Sequence, residues 1–372
     1  MKSKLSVKRF KKALLALAAA GISLVPSVAV NACTSFVLRN KGGSFVYART
    51  FEFGPPLDER IVLFPRKFQF KGTGPNGVTG TGLNWSGKYG IVGINGFGLP
   101  FLIDGMNEKG LTGGMQNAPT TAVYQNPNGA QASKSVASYQ ALMWILSNFS
   151  TTDEVKANLS SLIVNSSPLP QFGGQVRIHI TLHDLSGKSI VVEFLDGKTK
   201  ITDNPSGVMA NDPPIAWHFA NLANYVNLSP FDKPAITING QSFAPQSIGS
   251  GLHGLPGDYM SPSRYVRAFI FSQAAQKYAQ NVPKVRLAWH IINAFDIPPG
   301  SAITTTQQSG SSPAVWDYTQ ATVVADSEHM IYYARSFDGY NISRVDFKKQ
   351  NFNGTSMKMW DLDRSSTYQD LK

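Results

Sequence analysis

Cysteine is almost missing from this chain: Cys33 is the single one in 372 residues. An internal disulfide is therefore excluded, and with it the class of small exported domains stapled by several bridges. Charge is sparse as well. Charged residues make up 15% of the sequence against 42% hydrophobic ones, a balance that excludes intrinsic disorder and supplies apolar side chains for a large core. No internal repeat, low-complexity tract or linker divides the chain, so one large domain or two closely joined halves is expected. Lysine and arginine form no stripe interleaved with aromatic residues, which argues against a nucleic-acid partner. Histidine is scarce too, with six in all, and none stands in a local setting that pairs it with Cys33 in a papain-like dyad. His179 and His183, in "HITLH", read as strand residues about 13 Å apart, too far to share a metal ion. Both read as structural.

What the chain does have is one long uncharged run, "ALLALAAAGISLVPSVAV", behind Lys2, Lys4, Lys8, Arg9, Lys11 and Lys12 and ahead of a small-residue exit at Ala32. Basic start, apolar middle and small exit are the three regions of a signal peptide. Pro26 interrupts the run, which argues against a permanent membrane anchor. Cleavage is expected between Ala32 and Cys33, leaving a leader of residues 1–32 and a domain of residues 33–372, exported to the periplasm or beyond. The leader carries six basic and no acidic residues, so the formal charge of +11 falls by six on its removal. The high isoelectric point is largely the export signal, and the remainder is compatible with small anionic substrates.

Cleavage at that point would make Cys33 the first residue, with a thiol and a free α-amine on one side chain and backbone. An α-amine with a pKa of about 7.7–8.0 is partly neutral near neutral pH and can take the proton of its own thiol, so nucleophile and base coincide. A basic neighbour would favour thiolate. The reaction this suits is acyl transfer from an amide to water through a thioester. Two other readings stay open. A lipoprotein leader also ends before a cysteine, although Val30 and Asn31 replace the usual leucine and small residue, and a buried structural cysteine is common in general.

Along the chain, "CTSFVLRN" and "SFVYART" flank the turn-rich "NKGG" and read as a hairpin that folds Cys33 back against residues 49–52, with Arg49 a near neighbour. "FLIDGMNEKGLTGGMQNAP" reads as a second hairpin, and "VRIHITLHD" with "KSIVVEF" as a third. Residues 135–149 carry apolar side chains at helical spacing, "STTDEVKANLSSL" opens another helix, and residues 264–279 and 284–294 look helical. "TQATVVAD", "MIYYARSF" and "ISRVDF" read as the last strands. This order predicts antiparallel sheets covered by helices, an α+β architecture.

Together "CTSFVLRN", "YARTFEF", "DGMNEKGL", "HDLSGKSIVVE", "GLPGDYMSPSRYVRA" and "TQATVVAD" resemble, in order, the choloylglycine hydrolase and penicillin V acylase family of N-terminal nucleophile hydrolases, from Cys33 to about Asp346. The resemblance implies a four-layer αββα sandwich with antiparallel sheets, hydrolysis of linear non-peptide amides, no metal or organic cofactor, and a homotetramer. It implies Cys33 as nucleophile, with Arg49 close by. Glu52 stands where members usually carry an aspartate that contacts the α-amine, so the carboxylate is kept but reaches one methylene further. Asn117 and Asn211 match positions that serve the oxyanion or the substrate amide, and both residue types also occur in ordinary turns. Arg264 completes the polar cluster, while Arg267 is expected to make structural contacts.

The substrate expected is a small molecule with a bulky apolar acyl group. Penicillin V or a long-chain acyl homoserine lactone stands on one side and a glycine- or taurine-conjugated bile acid on the other. The leader favours the acylase branch. A lipid-anchored periplasmic protein without catalysis and a secreted relative of acid ceramidase are the competing readings. The loop "GPPLDER" and the irregular stretch 215–250 are expected near the pocket.

Overall fold

The computed structural model of the protein describes residues 32–303 and 316–371. The predicted leader lies outside these residues except for Ala32, which is buried beside Cys33.

The chain opens with strand β1 (Cys33–Arg39) and its hairpin partner β2 (Phe45–Phe53), in a register that sets Cys33 opposite Phe51 and Ser35 opposite Arg49. The expected return of residues 49–52 onto Cys33 is therefore observed. Strands β3 (Arg60–Phe64), β4 (Ile91–Ile94), β5 (Asp104–Asn107), β6 (Thr112–Asn117), β7 (Ile178–His183), β8 (Ser189–Leu195) and β9 (Lys198–Asp203) follow, then β10 (Tyr318–Asp326), β11 (Ile331–Ser336), β12 (Ser343–Asp346) and β13 (Lys358–Asp361). They form a five-stranded sheet ordered β1-β2-β10-β11-β12 and an eight-stranded sheet ordered β9-β8-β7-β6-β5-β4-β3-β13. Every pairing within the two is antiparallel.

The alternation of side chains along each strand builds the layers. On β2, Phe45, Tyr47, Phe51 and Phe53 face the second sheet, where they meet Ile61, Val92, Ile94 and Met106. Val46 and Ala48, on the other face, pack with Phe36 and Leu38 of β1 against Tyr265, Ala268 and Ile292, which belong to α4 (Ser261–Tyr278) and α5 (Lys284–Ile292). The eight-stranded sheet turns Ile178, Ile180 and Leu182 to the apolar residues of α1 (Ala141–Asn148) and α2 (Thr152–Asn158). Helix, sheet, sheet, helix is the resulting order. Thr151 caps α2 by accepting from the Glu154 N–H at 3.1 Å.

Two expectations need correction. The α-helix predicted over 135–149 is confined to Ala141–Asn148, preceded by a 3₁₀ turn at Ser138–Gln140, because the residues before that turn are drawn out into a strand. Ser135–Ala137 instead pairs with Ile163–Asn165. The stretch 215–250 does not border the pocket: it begins as α3 (Ile215–Leu222) and then runs outward into a short hairpin, Ile236–Ile238 with Gln241–Phe243, inside a segment exposed from residue 230 to 249.

Candidate active site

Period two places Cys33 and Val37 of β1, and Tyr47, Arg49 and Phe51 of β2, on the face between the sheets. The Cys33 sulfur thus meets the Arg49 guanidinium, whose Nη2 lies 3.7 Å from Sγ. Nη2 also donates to the Met115 carbonyl, and Nη1 donates to the Ile103 carbonyl at 2.7 Å and to Asp104 Oδ2 at 3.3 Å. Burial pushes the Cys33 thiol up, Arg49 pulls it back, and Glu52 pushes it up again. Burial works to lower the Arg49 pKa, yet the thiol, Tyr47 and Asp104 hold it above its ordinary value. Arg49 is a permanent cation here.

The backbone of Cys33 is held from the other side. Its N–H donates to Asn211 Oδ1 at 2.7 Å, and that oxygen also accepts from Arg264 Nη2 at 2.8 Å. Arg264 Nη1 donates to the Cys33 carbonyl and to Thr34 Oγ1, and Nε to the Tyr259 carbonyl. Arg264 sits in the first turn of α4, where a cation opposes the helix dipole; it is buried and turned back over the Cys33 backbone instead of capping. Asn211 is fixed in turn by Ser261, which accepts from its backbone N–H at 2.9 Å, and by the Asn117 carbonyl, which accepts from Nδ2 at 2.9 Å. One Nδ2 hydrogen remains for another acceptor.

Glu52 shares the cleft with Cys33. Its Oε1 accepts from Thr319 Oγ1 at 2.7 Å, while Oε2 is buried and, among the described residues, without a hydrogen-bond partner. Burial raises its pKa to about 8 against the pull of Arg264, and Oε2 is left as an acceptor for one more donor. Asn117, half-buried, also lines the cleft. The remaining walls are apolar, with Phe51, Phe53, Leu57, Phe97, Phe101 and Phe172 among them. Leu57 brings in the loop 54–60, as expected. Among the described residues no helix is long and apolar enough to cross a membrane, and no three His, Cys, Asp or Glu side chains are grouped to hold a metal ion.

All six residues singled out in the sequence thus converge on one cleft or on the residues that line it. Arg267 donates to the carbonyls of Pro256 and Asp258, a structural contact. His183 is structural as well, held by Ser189 Oγ at 2.7 Å. His179 is nearer the site than its strand setting suggested: its Nε2 meets the Ala210 carbonyl at 2.7 Å, and His218 Nε2 meets the Asn211 carbonyl at 3.0 Å. Burial lowers both imidazoles to about 4, so both are neutral N–H donors near neutral pH. Sequence reasoning missed His218, Asp104, Tyr47 and Tyr332. Tyr47 was within reach, since it shares the β2 face of Arg49, and Asp104 opens the quoted "DGMNEKGL".

A profile of the linear amide C–N hydrolases, choloylglycine hydrolase family, matches residues 33–360, so the match begins at Cys33. The chain belongs to this family. A bile salt hydrolase/transferase of Clostridium perfringens is 30% identical over 335 residues, covering 90% of this chain and 98% of that protein. The solved structure of a conjugated bile acid hydrolase from Clostridium perfringens, a cysteine-to-alanine mutant, superposes with a TM-score of 0.81 at 28% identity, covering 91% of this chain and all of that one. A penicillin V acylase of Pectobacterium atrosepticum is 26% identical over 370 residues, covering 93% of this chain and 88% of that protein. The choloylglycine hydrolase fold expected from the sequence, an αββα sandwich, is the one observed, and the chain is a linear amide hydrolase by family.

Proposed function

We propose that cleavage between Ala32 and Cys33 releases an exported enzyme of residues 33–372 that hydrolyses amides joining a bulky apolar acyl group to a small amine. The observation that carries this reading is the setting of one residue: Cys33 turns its sulfur to Arg49 at an apolar cleft while its nitrogen rests on Asn211. In the proposed cycle the neutral α-amine takes the thiol proton and sulfur attacks the amide carbon. The oxyanion accepts from the Asn117 side chain and from the spare hydrogen of Asn211 Nδ2. The α-ammonium, resting near Glu52, returns the proton to the leaving nitrogen as the C–N bond breaks, and the free amine departs. Water then adds to the thioester, giving a proton to the α-amine, and the carboxylic acid leaves as sulfur regains its proton. Arg264 holds the Cys33 carbonyl and Asn211 in place throughout.

For the acyl group we favour a conjugated bile acid, with glycine or taurine as the amine released. The bile acid hydrolases of Clostridium perfringens support this by identity and by superposition. The acylase branch expected from the leader gives way, because a leader addresses a compartment and never touches the acyl group. One feature favours it as a second reading: Phe53 stacks on Phe172 at 5.4 Å and meets Phe97 edge-on at 5.7 Å, an aromatic wall suited to the aromatic acyl group of penicillin V. Self-association, as the homotetramer implied by the resemblance, is proposed to use the exposed hairpin with Ile236, Ile238 and Phe243; a monomer by light scattering would end that assignment.

The test is amine release by the exported protein offered glycocholate, penicillin V and a long-chain acyl homoserine lactone, with its intact mass measured alongside. Preference for glycocholate by a chain beginning at a free Cys33 supports the reading. A mass increased by a lipid, or silence on all three substrates, overturns it in favour of the anchored non-catalytic protein.

A further inference from the structure

Arg49 meets the Cys33 sulfur, and behind it lies a buried carboxylate that the proposed cycle leaves unexplained. Asp104 projects from β5 into the space between the sheets and is wholly buried. Its Oδ2 accepts from the Tyr47 hydroxyl at 2.8 Å and from Arg49 Nη1 at 3.3 Å, and its Oδ1 accepts from the Tyr332 hydroxyl at 2.9 Å. Tyr47 and Arg49 come from β2 and Tyr332 from β11, so one carboxylate of the eight-stranded sheet gathers three side chains of the five-stranded sheet. On β6, Gly114 leaves the space this requires: a Cβ there would overlap Arg49 Nη1, Asp104 Oδ2 and the Tyr47 hydroxyl. Neither Asp104 nor the two tyrosines lines the cleft, so none of them is placed to meet substrate.

We propose that Asp104 is a positioning residue: gripped by Tyr47 and Tyr332, it fixes the Arg49 guanidinium in the orientation that presents Nη2 to the Cys33 sulfur. A guanidinium is a planar fork, so anchoring Nη1 on Asp104 and the Ile103 carbonyl sets the direction of Nη2. Without the carboxylate, Arg49 keeps carbonyl acceptors that do not hold a charge, and among the described residues its Nε has no hydrogen-bond partner to restrain it. The ionisable groups facing Asp104 are Tyr47, Tyr332 and Arg49. Burial and the Asp104 charge hold both tyrosines protonated, so each stays a hydroxyl donor. Burial raises Asp104 itself to about 6 against the pull of Arg49, and the grip is expected to loosen below that pH.

The inference rests on the thiol chemistry proposed for Cys33, and its test separates the two. Because Cys33 is the only cysteine, iodoacetamide alkylation of the protein, purified from expression of the whole sequence, reports that sulfur alone and needs no substrate. In Asp104→Asn, which keeps the shape and loses the charge, the alkylation–pH curve is expected to move to higher pH. The kcat is expected to fall tenfold or more, with KM unchanged. Tyr332→Phe should shift the curve the same way by less. In an Arg49→Leu background, Asp104→Asn should change nothing further. A shift to lower pH would mark Asp104 as a mere counter-charge opposing the thiolate. That outcome, no shift, or an equal loss in the Arg49→Leu background overturns the inference. Should Asp104→Asn fail to fold, as judged by thermal melting, Tyr332→Phe decides by the same curve. If wild type alkylates normally but turns over no amide, the hydrolase reading fails and this one still stands on the curves.

Discussion

Cys33 is held by two regions built on different principles. On the sulfur side, Arg49 and Asp104 oppose full charges inside regular strands, where register leaves little freedom. On the nitrogen side, Asn211 lies in an irregular segment whose carbonyls are pinned by two neutral imidazoles and whose side chain is shared with Arg264. A charge needs a counter-charge when buried, and the sheets supply it. An irregular backbone needs each polar group satisfied one at a time. In the proposed mechanism the sulfur side would tune the thiol, and the nitrogen side would hold the Cys33 backbone.

The largest expected effect breaks both sides at once. Cys33→Ala should abolish amide turnover while thermal melting stays cooperative, and leaving any residue ahead of Cys33 should silence the enzyme by occupying the base; full activity in either form would sink the mechanism. Next comes the nitrogen side: Asn211→Ala should lower kcat by about 10²–10³, the usual cost of an oxyanion donor, and an unchanged kcat would confine Asn211 to packing.

The third expectation concerns Glu52. In a chain that retains residues ahead of Cys33, the folded carboxyl titrates near 8 and the unfolded one near 4.5, so the fold binds the proton more tightly and stability is lost as pH rises between those values. Removing the leader supplies an ammonium and should abolish that loss, as should Glu52→Gln in the uncut chain. Identical melting–pH curves for cut and uncut protein would show that the amine does not reach Glu52.

The smallest effect tests the imidazole clamp. His218→Phe removes a donor to the Asn211 carbonyl and should cost about 1–3 kcal/mol of stability with a modest fall in kcat. His218→Gln, which keeps an N–H, should recover most of it. Because His179 and His218 titrate near 4 in the fold and near 6.5 unfolded, stability is expected to decline as pH falls from 6.5 through 4. Equal behaviour of the Phe and Gln variants would reduce His218 to its stacking on Tyr265, whose ring lies 4.3 Å away.

Local signals were legible wherever neighbours in sequence are neighbours in space. The β1–β2 hairpin put Arg49 beside Cys33 because four turn residues and strand alternation leave few alternatives, and the hairpins of Asp104–Asn117 and Ile178–Leu195 followed for the same reason. The helix expected over 135–149 was too long because local periodicity carries no sign of the distant segment Ile163–Asn165 with which Ser135–Ala137 pairs. His179 reads as structural from its strand setting and makes a structural contact, but that setting says nothing of its partner, the Ala210 carbonyl 31 residues on.

The amino-acid order carried the lone cysteine proposed as nucleophile, the hairpin around it and the choice of antiparallel sheets, since turn chemistry and period-two alternation act over a few residues. Which side chains meet across the sheets was left to the fold. Tyr332, Asp104 and Arg49 stand far apart in the chain, and only the stacking of one sheet on the other brings them together. Their pairing follows from the cost of burying a charge or carbonyl unpartnered, a cost that exists only once the layers close.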